Sequence, residues 1–243
     1  MTDTSCDSPA GRPVSISVFF PCYNEQANIA RTVGRAVEVL EGIRADYEII
    51  VVDDGSTDDT ARIADDLARG NSRIRVVRHP SNRGYGAALI SGFRTATRPL
   101  VFYTDGDGQF DFGEMPALLP LMQEYDIVSC YRIDRKDNFI RRINGWAWTQ
   151  LVCRLFALRV RDIDCAFKLY KRSIFDDMVM ASSGALIDTE ILARAARRGC
   201  RITQCGVHHY PRTAGASTGA SPRVIIRAFR ELFQLYGRIR SQN

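Results

Sequence analysis

The sequence predicts an α/β fold: a mostly parallel sheet flanked by helices, with an amphipathic helix at the C-terminal end. Two observations carry this. Four apolar runs of strand length, at about 15–21, 47–52, 74–77 and 99–104, are separated by stretches with apolar residues at helical spacing. Three of these runs stop at Cys22–Glu25, Asp53–Ser56 and Asp105–Gln109, on the edge where ligands of parallel sheets sit, beyond the carboxyl ends of the strands.

Residues 1–14 read as a disordered tail, 15–218 as one domain and 219–243 as a terminal helical segment. The first strand, Ser15–Pro21, ends at a proline that has no amide proton for a ladder. Ile29, Val33, Ala36, Val37 and Leu40 then share one helical face, with Arg31, Arg35 and Glu38 opposite. Tyr47–Val52 is a second buried strand, and Ser56-x-x-Asp59 predicts a capping box opening a helix to about Arg69. Ile74–Val77 is a strand, Asn82–Gly86 a turn into a helix ending near Thr97, and Pro99–Thr104 the next strand. Further on, residues 114–125 read as helix, 126–131 as extended, and 139–157 as helix with Ile140, Ile143, Trp146, Ala147, Leu151 and Leu155 on one side. Phe167–Tyr170 is a short strand, 188–198 a helix closed by Gly199, 201–210 extended chain, and 222–240 the last helix.

The chemistry concentrates at Asp105-Gly106-Asp107-Gly108-Gln109. Side chains at i and i+2 of extended chain point the same way, so Asp105 and Asp107 can converge, with Gln109 one alternate position further. Two adjacent carboxylates repel unless a hard divalent cation lies between them, and Mg²⁺ is commonly held by one or two carboxylates plus substrate phosphates. An EF-hand is excluded because Pro116 stands where its twelfth-position Glu would be.

With 45% hydrophobic and 25% charged residues the composition is that of a soluble globular protein. No apolar run approaches the ~18 residues of a membrane span, and the polar start does not resemble a signal peptide, so a cytoplasmic location is expected. Seven cysteines without a C-x-x-C pair argue against a disulfide framework and a zinc site. Only Lys136, Lys168 and Lys171 are lysines among 33 basic residues, so arginine, the residue suited to bidentate phosphate binding, carries the charge. It clusters at Arg132, Arg135, Arg141 and Arg142, at Arg212 and over 223–240, which points to a polyanionic substrate or an anionic surface rather than to nucleic acid.

Rival chemistries lack their residues. Gly84-x-Gly86 opens a helix, but Leu89 replaces the third glycine of a dinucleotide fingerprint and the turn follows the third strand, not the first. There is no P-loop and no G-x-S-x-G, and His79, His208 and His209 are not at metal-ligand spacing. What remains is an acidic sheet edge facing arginine-rich segments. Phe20-Pro21-Cys22-Tyr23-Asn24-Glu25, Val52-Asp53-Asp54-Gly55-Ser56-Thr57-Asp58, Asn82-x-Gly84-x-Gly86 and Asp105-Gly106-Asp107-Gly108-Gln109 resemble, in order, the motifs of inverting family 2 glycosyltransferases with the Rossmann-like GT-A fold. The resemblance spans about residues 15–218 and is strongest to the branch that glycosylates dolichyl or polyprenyl phosphate.

That resemblance implies roles. Pro21, Tyr23, Glu25, Asp53, Asp105 and Arg212 would contact a nucleotide sugar of GDP-mannose or UDP-glucose type, and Asp105, Asp107 and Gln109 would hold Mg²⁺ or Mn²⁺. Arg132 and Arg142 would face the acceptor phosphate. Asp107 and Glu190 are the candidate bases for an alcohol acceptor, such as a secondary metabolite or polysaccharide intermediate. Asp162 and Phe167-Lys168-Leu169-Tyr170 are similar to the family's D-x-x-x-G-F-R-L-Y segment, with Ala166 and Lys168 in place of Gly and Arg. Arg212 and Gly215-Ala216-Ser217 resemble a diphosphate-closing R-x-x-G-x-S-K loop in which Thr218 replaces Lys. The expected partners are the donor, a polyprenyl phosphate or soluble acceptor and, through 222–240, the inner membrane face or a second copy of the chain. Ile225, Ile226, Phe229, Leu232, Phe233, Tyr236 and Ile239 form the apolar face of that helix between flanking arginines.

Overall fold

The computed structural model describes residues 13–134, 139–212 and 222–241, excluding the side chains of 139–142, 144, 222–230 and 241. Among them the order is β1 (Ser15–Cys22), α1 (Ile29–Gly42), β2 (Asp46–Asp53), α2 (Thr60–Gly70), β3 (Ile74–Arg78), α3 (Tyr85–Thr95), β4 (Leu100–Thr104), β5 (Ile127–Ser129), β6 (Tyr131–Ile133), α4 (Phe139–Phe156), β7 (Phe167–Lys171), α5 (Ile187–Arg197), β8 (Ile202–Thr203), β9 (Gly206–His208) and α6 (Pro222–Ser241).

The main sheet runs β3-β2-β1-β4-β7-β5-β8, with β6 and β9 forming a parallel pair of their own. β1 to β4 are parallel, in the register Cys22 beside Asp53 and Phe19 beside both Ile50 and Tyr103, which aligns their carboxyl ends. β7 inserts antiparallel between β4 and β5. β1, β2 and β4 are buried on both faces because helices cover both, so they read as continuous apolar runs, whereas β3 lies at the sheet edge with Arg75 and Arg78 exposed. Phe19, Ile50, Val52, Val101 and Tyr103 face a core shared with α3 and α5, while Ile16, Val18, Ile49 and Val51 face one shared with α1.

Several elements differ from expectation for physical reasons. Residues 112–123 form 3₁₀ turns, not an α-helix, because Pro116 and Pro120 remove amide donors. Ser56 does not cap α2; its hydroxyl accepts the Asn24 amide, and Asp58 takes the Thr60 amide instead. Gly199 does close α5, at φ +77°. The expected apolar side of α4 is split: Val152 and Thr149 are buried, whereas Ile143 and Trp146 are exposed. The last helix is no free surface element over its second half, since Leu232, Leu235 and Ile239 sit in the α5 core and Tyr236 packs edge-on against Phe156. The predicted tail, apart from residues 13 and 14, lies outside the described residues.

Candidate active site

The strand-end loops are stitched to one another. The Asn24 side chain accepts from the Thr57 amide (2.8 Å), the Gln26 side chain from Asp59 (2.9 Å), and the Thr60 hydroxyl from Glu25 (2.8 Å). Asp54, buried, accepts from the amides of Arg83 (2.9 Å) and Gly84 (2.8 Å) and lies 2.6 Å from His79 Nδ1. Two loops that carry polar backbone groups are thereby fixed as one rigid floor.

Above that floor lies a cavity of about 690 Å³ bordered by Pro21, Tyr23, Glu25, Asp54, Tyr85, Asp105, Asp107 and Arg212. A neighbouring cleft of about 460 Å³ shares Tyr23 and Asn82 and adds Asp53, Ser56, Arg78 and His79. Asp105 and Asp107 do border one cavity, but from a turn just past the end of β4 at Thr104 rather than from extended chain. Gly106 between them is pressed so close that an added Cβ would stand 2.6 Å from Cys22 Sγ. Burial and the neighbouring charge of Asp107 hold Asp105 above the ordinary carboxylate range; burial also raises Asp107, opposed by the Gln109 amide and Arg212. This is a carboxylate pair short of positive charge, and the donor set of hard oxygens fits Mg²⁺ or Mn²⁺. Arg212 supplies part of that charge: its guanidinium pairs with Glu25 and lies 3.8 Å from Asp107.

The predicted residues do not all meet. Gln109 is set apart from the cavity wall because Gly108, at φ +72°, turns the chain and breaks the alternation; the Gln109 amide donates to the Tyr210 carbonyl (3.0 Å). Glu190 is withdrawn altogether. It is fully buried, its carboxylate accepting from the amides of Ala181 (3.0 Å) and Ser182 (2.7 Å) and pairing with Arg194 (2.8 Å), which corrects its assignment as a candidate base. Asp53 lies in the smaller cleft, one oxygen taken by the Ser56 amide and the other by Arg78. Arg132 borders a third cleft of about 240 Å³ with Trp146 and Arg161, and is held there by a bidentate pair with Asp162 (2.7 and 2.8 Å). The Arg142 side chain and the loop from Thr213 to Thr218 lie outside the described residues. Tyr85 borders the cavity without a distinct sequence signal, since a tyrosine at the first position of a helix is ordinary, while Asn82, from the Asn82-x-Gly84-x-Gly86 motif, borders it too.

A model of the family described as glycosyl transferase family 2 matches residues 17–179. The chain belongs to this family. Solved structures agree on the fold. Glucosyl-3-phosphoglycerate synthase from Mycobacterium tuberculosis, in complex with phosphoglyceric acid, is 20% identical with a TM-score of 0.72, over 92% of this chain and 80% of that one. The same enzyme with Mn²⁺, UDP-glucose and phosphoglyceric acid is 22% identical, with a TM-score of 0.72 and the same coverage. With Mn²⁺, UDP and glucosyl-3-phosphoglycerate the figures are 22%, 0.66, 93% and 77%. The mostly parallel sheet flanked by helices is thus the GT-A architecture of family 2 glycosyltransferases.

The raised carboxylates make a pH prediction. A carboxyl held above its unfolded value keeps its proton to higher pH when folded, so between the two values stability falls as pH rises. A bound cation relieves that penalty and expels the proton. The gain in melting temperature on adding Mn²⁺ is therefore expected to be larger at pH 8 than at pH 5.5, measured by scanning fluorimetry. An equal gain at both would contradict the assignment.

Proposed function

We propose that this family 2 glycosyltransferase is metal-dependent and inverting, and passes a hexose from a uridine diphosphate sugar to a small soluble acceptor through its hydroxyl. The observation that carries the reading is the meeting of Asp105, Asp107 and Arg212 on one cavity wall, with the Asp53 cleft beside it. Support for the uridine donor comes from the similar mycobacterial structures with UDP or UDP-glucose and Mn²⁺, and support for a soluble acceptor from their phosphoglycerate.

Asp105 and Asp107 would hold Mg²⁺ or Mn²⁺, which when bound neutralises charge on the departing diphosphate. Arg212 would turn from Glu25 to the diphosphate oxygens, a charge-assisted contact worth about 1.5–3 kcal/mol. Tyr23 and Asp53 would border the base, Pro21 the sugar side of the cavity. The acceptor oxygen attacks the anomeric carbon from the face opposite the leaving group, which inverts it. With Glu190 out of reach, Asp107, on the cavity wall, would be the carboxylate that takes the hydroxyl proton. Arg132 and Arg142 would flank the acceptor, Arg132 from its own cleft.

A polyprenyl phosphate acceptor at the inner membrane face is the second reading. One observation favours it: Phe233 is 62% exposed on α6, whose last turns carry Arg238 and Arg240. No described helix is long and apolar enough to cross a membrane, so such an enzyme would dock peripherally. Pure protein with a panel of nucleotide sugars and Mn²⁺ tests both, reading diphosphate release with phosphorylated hydroxy acids and with polyprenyl phosphate. Release with the former and none with the latter is expected; release only with the lipid, together with co-sedimentation on anionic liposomes, would favour the second reading. No release with any donor would contradict both.

A further inference from the structure

The most unusual buried group in the molecule is Lys168. Its side chain is fully buried in β7, with Nζ 2.8 Å from Asp188 Oδ1, 3.2 Å from the Tyr103 hydroxyl, and 3.1 and 2.6 Å from the carbonyls of Ile163 and Cys165. Burying an ammonium is costly unless it is paired and hydrogen-bonded, and this one is both. Tyr103, also fully buried, donates its hydroxyl proton to the same Asp188 oxygen. One step nearer the cavity the Tyr85 hydroxyl, beside Tyr103, donates to Asp105 Oδ1 (3.1 Å).

Proton counting decides the direction. Tyr103 has one proton, which Asp188 takes, and the three of Lys168 are matched by Asp188 and the two carbonyls. Tyr85 then has one proton, which it donates to Asp105 Oδ1 (3.1 Å), a carboxyl oxygen being a stronger acceptor than a phenol. The cluster behind it, Lys168 with Asp188, is neutral as a pair and adds no net charge to compete with a cation.

We propose that Tyr85 is a positioning residue for the metal carboxylate: its hydroxyl, buttressed by Tyr103, Asp188 and Lys168, engages Asp105 Oδ1 and turns Oδ2 to be the favoured oxygen for the cation. This rests on the metal-dependent reading above. A carboxylate that offers one favoured oxygen suits the octahedral demand of Mg²⁺ and Mn²⁺, whereas Ca²⁺ accepts bidentate carboxylates and irregular geometry. Tyr85 is thus a determinant of metal selectivity as well as of metal affinity.

The test is Tyr85→Phe, which keeps the ring on the cavity wall, measured by Mn²⁺ titration with electron paramagnetic resonance in the presence of UDP, with Ca²⁺ as competitor. Mn²⁺ affinity is expected to fall about tenfold, the ratio of Ca²⁺ to Mn²⁺ affinity to rise, and UDP affinity without metal to stay within twofold. Tyr103→Phe, expected to give a smaller shift in the same direction, controls for a merely local effect of the missing hydroxyl. Equal Mn²⁺ affinity and an unchanged metal ratio in a folded Tyr85→Phe would overturn the proposal. A wild-type protein that binds no Mn²⁺ with UDP would instead overturn the functional reading on which it rests.

Discussion

Asp107→Asn is expected to abolish sugar transfer, with kcat reduced by at least ~10³ and the fold intact. The side chain stands on the cavity wall just beyond β4, and among the described residues its partners are the Gln109 amide (3.0 Å) and the distant Arg212 contact. An amide of the same shape keeps the Gln109 bond, so the melting temperature is expected to move by less than about 3 °C. What is lost is a charge facing the cation and the departing diphosphate, where electrostatic stabilisation of developing charge acts with little reorganisation and single groups are worth about 10²–10³ in rate. Losing the proposed proton acceptor as well takes the effect beyond that range. Steady-state diphosphate release and circular dichroism on the same preparation check both halves. Activity within tenfold of wild type would remove Asp107 from the chemistry.

The second large effect concerns stability. Glu190→Ala is expected to cost about 3–5 kcal/mol, because it removes a fully buried charge that pairs with Arg194 and accepts from the amides of Ala181 and Ser182. Those amides hold the loop whose Ser183 carbonyl accepts from Gly86, where α3 starts and the cavity wall begins. At Gly84, φ +94°, an added Cβ would stand 2.8 Å from that same carbonyl, so this contact is a backbone-to-backbone seam with no slack. Urea unfolding measures the loss. Glu190→Gln, which keeps the acceptor oxygen, is expected to retain transfer within a few-fold once folded. A folded Glu190→Gln protein with kcat down a thousandfold would restore Glu190 to the catalytic set.

Much of this architecture was legible in the residues themselves. β1, β2 and β4 are buried on both faces, so their apolar runs are unbroken, and because the strands are parallel the polar residues that end them had to lie on a common edge. The meeting of Asp105 and Asp107 at one cavity was legible as well, although a turn beyond β4 and not strand alternation brings it about. What was not legible depended on distant chain. The place of β7 between β4 and β5 is a matter of tertiary pairing, and nothing local in Phe167–Lys171 announces it. Ser56-x-x-Asp59 has the form of a capping box, but Asn24, 32 residues earlier, competes for the hydroxyl. Gln109 lost its alternation to a left-handed glycine, and Glu190, a charged helix residue of the kind that usually faces water, faces a loop eight or nine residues back. On α6, Leu235 proved more buried than Phe233, which had been placed on the apolar face.

The central claim is that Asp105, Asp107 and Arg212 form a site for a cation and a nucleoside diphosphate together. Isothermal titration of the wild-type protein with UDP, with Mn²⁺ and then in excess chelator, tests it most directly. The account predicts binding that strengthens at least tenfold with Mn²⁺ and loses that gain in Asp107→Asn; UDP affinity that is the same in chelator as in Mn²⁺ would contradict it.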